Sequence, residues 1–102
     1  MAIKVFIERQ LRDPDYKQAA RMINDSRTQA MDQNGYIGSE TLWSNENTKT
    51  VMIMSIWQNV ESWKAYLNSP ARKKLEDDFE KIMTKPAEYA VFHLGTHPDF
   101  GS

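Results

Sequence analysis

His93 and His97 are the only histidines of this 102-residue chain, and any metal or acid–base chemistry would draw on them first. Four residues of extended strand span about 13 Å, so both rings reach one metal ion only if the chain turns at Gly95. Their plain reading is one strand residue and one tail residue. Turned toward a cavity, His93 would be the group best suited to exchange a proton near neutral pH. A second set is aromatic. Trp43, Trp57 and Trp63, with Tyr36, Tyr66 and Tyr89, would line a pocket for a flat aromatic compound or fill a core. A third set, Arg9, Arg27, Arg72 and Glu76, places charge near inner faces or element ends, where most such groups are solvated or paired. The run Arg72–Lys81 reads as an exposed helix face with opposite charges at neighbouring positions. The absence of cysteine excludes thiolate metal sites, cysteine nucleophiles and disulfides. With 4 glycines there is neither a phosphate-cradling loop nor a nucleophile elbow, and with no cysteine and two histidines set apart no metal site is expected.

The elements that must position these residues follow from periodicity. Ile3, Val5 and Ile7 alternate with Lys4, Phe6 and Glu8, the period of a strand running to about Gln10. Asp13-Pro14 offers an N-cap with proline at the first helical position, and Tyr16, Ala19, Ile23 and Ala30, with Met22 and Ser26, recur at helical spacing. That face has mostly small residues at Ala19, Ser26 and Ala30, which leaves room opposite them. Asn34-Gly35 stops the helix. Strands follow from Tyr36 to about Ser44 and from about Thr50 to Trp57, joined by the turn residues Asn45-Glu46-Asn47. The second of these is apolar on both faces, with Val51, Ile53 and Trp57 against Met52, Met54 and Ile56, so it needs cover above and below. Asn59 caps a short helix, Ser69-Pro70 kinks it, and a longer helix runs to about Met83 with Ala71, Leu75, Phe79 and Ile82 inward. A last strand runs from Glu88 to about Gly95. Residues 1–96 form one domain, and 97–102 read as a C-terminal tail.

The order βαββαβ, with right-handed crossovers, gives a ferredoxin-like α+β sandwich with one antiparallel sheet and both helical segments on one side. Its other face would show some of Phe6, Met52, Met54, Ile56, Tyr89 and Val91, an apolar patch larger than a monomer usually leaves open. A second copy of the chain is the simplest cover, which makes a homodimeric α+β barrel the expected assembly. With 13 Lys and Arg against 14 Asp and Glu there is no broad field for nucleic acid or anionic membrane. The strand around Met52 also lacks the glycine and spaced aromatics with which a sheet stacks RNA bases. The first residues read as a strand rather than a leader, no segment is a membrane span, and the cytoplasm is the expected location.

The segment Trp57 to Pro70, a strand ending in Ile-Trp followed by Glu-Ser-Trp, Tyr-Leu and Ser-Pro at the kink, resembles the antibiotic biosynthesis monooxygenase family of small dimeric α+β barrels. That resemblance implies the dimer and a cavity between sheet and helices. It also implies a cofactor-independent monooxygenase acting on a small aromatic or quinol-like compound. On that reading Arg9, Tyr66 and His93 are the donors or bases, Trp57 and Trp63 are walls, and Glu76 lies in the substrate site. A non-catalytic small-ligand-binding or stress-associated barrel protein is the alternative. Haem-degrading relatives look for asparagine in the first strand, tryptophan in the short helix and histidine after the kink. This chain has Glu8-Arg9-Gln10, Tyr66 and Glu76 instead, and carboxylate is a poor axial ligand beside imidazole.

Overall fold

The computed structural model describes residues 1–12, 16–95, 97 and 99, so the expected Asp13–Pro14 cap and most of the tail lie outside the described residues. In chain order the elements are β1 (Ile3–Gln10), α1 (Tyr16–Met31), β2 (Tyr36–Trp43), β3 (Thr50–Trp57), α2 (Val60–Leu67), α3 (Pro70–Glu80) and β4 (Glu88–His93). The strands form one antiparallel sheet in the order β2-β3-β1-β4, the ferredoxin-like arrangement. Strict alternation builds β1: Ile3, Val5, Ile7 and Arg9 are buried, and the residues between them are half-buried. Register then carries that parity across the sheet, placing Trp57, Ser55, Ile53 and Val51 of β3 opposite them. All of these point to the helix-covered side.

The core on that side comes in two parts. Ile3, Val5 and Ile7 pack with Ala30 of α1, Trp57 of β3, and Trp63 and Tyr66 of α2. Leu11 and Val51 pack with Ala19 and Ile23 of α1, Phe79 of α3, and Met83. Local chemistry fixes the break between α2 and α3. The Asn59 Oδ1 caps α2 by accepting from the Ser62 N–H at 2.8 Å, and the Ser69 Oγ caps α3 by accepting from the Arg72 N–H at 3.2 Å, with Pro70 at the first turn. Gly35 holds the α1–β2 turn against α2. Its φ is +86°, and a Cβ there would lie 2.5 Å from the Ser62 Cβ.

Two expectations are corrected. Along α3 the inner side holds Arg72, Glu76 and Phe79, continuing to Met83, with Leu75 and Ile82 half-buried against the same core as expected, while Ala71 is exposed and its place inside is taken by Arg72. Arg72 and Glu76 leave the exposed charged face because they find counter-charge inside, as described below. In β4, register places Tyr89 opposite Ile7 and Val91 opposite Val5, so these two belong to the helix side. The helix-free face carries Ala90 and Phe92 instead, beside Phe6, Met52, Met54, Ile56 and Leu42. Phe92 is 57% exposed and meets Phe6 edge-on at 5.6 Å. Among the described residues no helix is long and apolar enough to cross a membrane.

Candidate functional site

A crevice opens between the sheet and helices α1 and α2 because the residues that face one another there are small. Ser55 on β3, Ser26 and Ala30 on α1, and Ser39 on β2 line it, where the short side chains of α1 were expected to leave room. Trp57 and Tyr66 wall it off. Its volume is about 30 Å³, the room of about one water molecule.

The walls interlock. Trp57, fully buried, stacks on Tyr66 with centroids 5.4 Å apart and planes at 23°, meets Tyr36 edge-on at 5.7 Å, and lies 5.8 Å from Trp63. Its indole N–H donates to the Ser55 Oγ at 3.0 Å, so the one polar atom of the ring is satisfied on the sheet. The Tyr66 hydroxyl donates to Gln29 Oε1 at 2.9 Å and approaches the Ser26 carbonyl at 3.4 Å. Burial pushes its phenol up, an effect partly offset by the charge of Arg72, so Tyr66 keeps its proton and serves as a donor.

Behind the aromatic wall lies a charged cluster drawn from three elements. Arg9 reaches from β1 and grips Glu76 with both arms of its guanidinium, at 2.7 and 2.8 Å. Its planar group also lies 3.9 Å over the Phe79 ring. Arg72, one helical turn before Glu76 on α3, donates to the same carboxylate from its Nη1 and to the Tyr89 hydroxyl from its Nη2, the latter at 3.1 Å. Its guanidinium lies 5.8 Å from the Tyr66 ring and lines the crevice. The cluster therefore bridges the two parts of the core. Burial alone would raise the Glu76 carboxyl, but hydrogen bonds and charge from Arg9, then from Arg72, bring it down from 4.5 to about 2.

The expected site residues fall into two groups. Arg9, Tyr66, Trp57, Trp63 and Glu76 come together, with Trp57, Trp63 and Tyr66 on the crevice and Arg9 and Glu76 behind Arg72. His93 does not join them. It is exposed on the edge strand opposite Ile3, with its Nδ1 2.9 Å from the Met1 Sδ, on a strand whose residues are all exposed. Trp43 is also apart, edge-on to Tyr16 at 5.9 Å. Sequence reasoning missed Ser55, Ser39 and Gln29. The inward parity of Ser55, two residues before the buried Trp57, was the available signal.

Haem does not fit here. The residue at the ligand position, Glu76, is the counter-ion of two buried guanidiniums, and moving it to iron would leave both unpaired. Among the described residues no group of three or more His, Cys, Asp or Glu is placed to hold a metal ion.

Fold and site together define a ferredoxin-like α+β protein with an aromatic-walled crevice under its helices. Within that class the chain belongs to the antibiotic biosynthesis monooxygenase family, whose model matches residues 3–78. Its fold is shared by SnoaB, a cofactor-independent oxygenase from Streptomyces nogalater, at 11% identity and TM-score 0.80 over 96% of this chain and 98% of that one. A conserved protein from Methanosarcina mazei Go1 aligns at 15% identity and TM-score 0.82 over 90% and 91% of the two chains. Rv0793 from Mycobacterium tuberculosis does so at 14% and 0.80 over 96% and 99%. No curated protein sequence matches the chain.

Proposed function

We propose that the protein is a homodimeric, cofactor-independent monooxygenase that oxidises a small aromatic or quinol-like compound in the crevice. The observation that carries this reading is the convergence of a flat aromatic wall, the Tyr66 hydroxyl and the buried Arg72 on one small crevice. Family membership and the likeness to a cofactor-independent oxygenase support it. For an anthrone-like substrate the balance closes without a cofactor: one oxygen atom of O2 enters at a CH2 carbon, both hydrogens of that carbon leave with the other as water, and the substrate supplies the electrons. Trp57 and Trp63 wall the ring system on one side, the Tyr66 O–H turns from Gln29 to developing negative charge, and Arg9 and Glu76 hold Arg72 in position. His93, outside the crevice, has no part in this assignment. The substrate needs more than the 30 Å³ present, so the crevice must widen as it enters. Oxygen uptake with a panel of anthrones and quinols should exceed the buffer rate severalfold, and no acceleration rejects the proposal. The near-closed crevice favours a second reading, a non-catalytic binder, which tight binding without oxygen consumption would establish.

The dimer rests on the helix-free face. Phe6, Met54, Leu42 and Phe92 form an apolar surface that a two-fold related copy would cover with the same surface. Sedimentation at micromolar concentration is expected to give twice the chain mass. Phe92→Glu, which buries a charge in that contact, should give the single-chain mass, and a monomeric unmodified protein removes the dimer from the proposal.

A further inference from the structure

The seam between α1 and β2 does not end at the crevice. On β2 the helix-side positions are Ser39, Thr41 and Trp43, set by register against Ser55, Ile53 and Val51. Ser39 and Thr41 line the crevice with Ile23 of α1. Trp43 stands about 7 Å beyond Thr41 along the strand, and Tyr16 stands about 10 Å before Ile23 along the helix. Their rings meet at that far end.

A second cavity opens there, of about 240 Å³ against 30 Å³ in the crevice. Its described lining is Tyr16, Trp43, Ser44 and Thr48, two aromatic rings and two hydroxyl side chains without a charge. The ring centroids are 5.9 Å apart and the planes stand at 88°, which makes a right-angled corner. Hydrogen bonds fix that corner in place. The Tyr16 hydroxyl donates to Thr48 Oγ1 at 3.0 Å, and the Ser44 Oγ accepts from the Asn47 N–H at 3.1 Å. The same hairpin is closed by the Thr50 N–H on the Asn47 carbonyl and the Ser44 N–H on the Thr50 carbonyl. Tyr16 and Trp43 are nonetheless 39% and 41% exposed. Whereas the Trp57 N–H is spent on Ser55, among the described residues nothing accepts from the Trp43 N–H.

Size and chemistry narrow the occupant. An apolar cavity of about 150 Å³ takes up benzene, so this one suits one or two fused rings. A partner helix is read through anchors over several turns, which a corner of two rings does not offer. An ionic ligand would find no counter-charge in the described lining. We infer that Tyr16 and Trp43 form a second ligand site, which takes a flat, uncharged aromatic compound with a hydrogen-bond acceptor at its rim. The ligand stacks on one ring and meets the other edge-on, and its acceptor takes the Trp43 N–H. The proposed dimer leaves the site open, because Trp43 is on the helix side and the dimer contact is on the other face. The site stands without any reaction in the crevice.

The test is a titration of the ¹⁵N-labelled, unmodified protein with coumarin, which is flat, neutral and two-ringed and carries a carbonyl acceptor. The chain has 3 tryptophans, so three indole N–H signals report on it, and Trp43→Phe assigns one by deleting it. The Trp43 signal should move saturably, with a midpoint of its own whether or not the Trp57 signal moves. The saturated analogue octahydrocoumarin should bind at least about threefold more weakly. Trp43→Ala should weaken coumarin, followed by equilibrium dialysis, by about three- to tenfold. A still Trp43 signal, a shift that never saturates, a midpoint shared with Trp57, or equal binding of the saturated analogue overturns the inference. The unmodified titration decides the matter even if Trp43→Ala does not fold. Oxygen uptake in the anthrone and quinol panel with no Trp43 response would leave the proposed activity standing and remove this site. A saturable Trp43 response without oxygen uptake would do the reverse.

Discussion

Replacing Glu76 with glutamine is expected to lower the unfolding free energy by about 3–5 kcal/mol at pH 7, measured by urea denaturation. The carboxylate is what allows Arg9 and Arg72 to lie in the core, and its removal leaves two buried guanidiniums on either side of a neutral amide. Against a typical total of roughly 5–15 kcal/mol, this is a large fraction. The pH dependence gives an independent check. The folded carboxyl titrates at about 2 against an ordinary 4.5, so its contribution is present in full above the unfolded value. It is lost as pH falls from there through the folded one, about 3 kcal/mol in all. The Glu76→Gln protein should lack that segment of the acid profile. A loss below about 1 kcal/mol, with the profile unchanged, would show that the cluster does not hold the core halves together.

Trp57→Ala should cost about 3–5 kcal/mol, lowering the melting temperature by about 4–8 °C for each kcal/mol. The indole is fully buried and packs on Tyr36, Trp63 and Tyr66, so truncation removes the shared neighbour of three rings and leaves the Ser55 hydroxyl without its donor. Trp57→Phe keeps the ring contact and loses the N–H, so it should cost much less. If the alanine variant melts within a few degrees of the unmodified protein, the wall is not part of the stabilising core.

What the sequence shows well is what local pattern controls. β3 runs from Thr50 to Trp57, as its apolar residues on both faces indicate, and the caps at Asn59 and Ser69 start α2 and α3 where side-chain oxygens can accept the first N–H groups. The facing of β4 and α3 is less legible. Tyr89 and Phe92 are both apolar, and which one turns to the helices depends on register against β1, which β4 does not encode alone. Ala71 looked inward by hydrophobicity, yet Arg72 occupies that side. The i,i+4 spacing of Arg72 and Glu76 is visible in sequence, whereas the third partner, Arg9, lies 67 positions from Glu76 and is brought to it by the sheet. The aromatic wall could be read as a set of residue types and the room beside Ser26 from helical spacing, but Ser55 and Ser39 show only once parity is carried across β1, β3 and β2.

The near-absence of free volume in the crevice also shapes how any binding curve will look. On the proposed reading a ligand enters a crevice with room for about one water molecule, so its measured affinity would be that of a widened form scaled down by the fraction of chains in that form. An open population of about one in a hundred would weaken apparent binding about a hundredfold without altering a single contact. It would also slow association well below the encounter rate, because productive collisions wait on opening. It follows that weak binding by a good shape match would measure the closed state of this protein as much as the quality of the match.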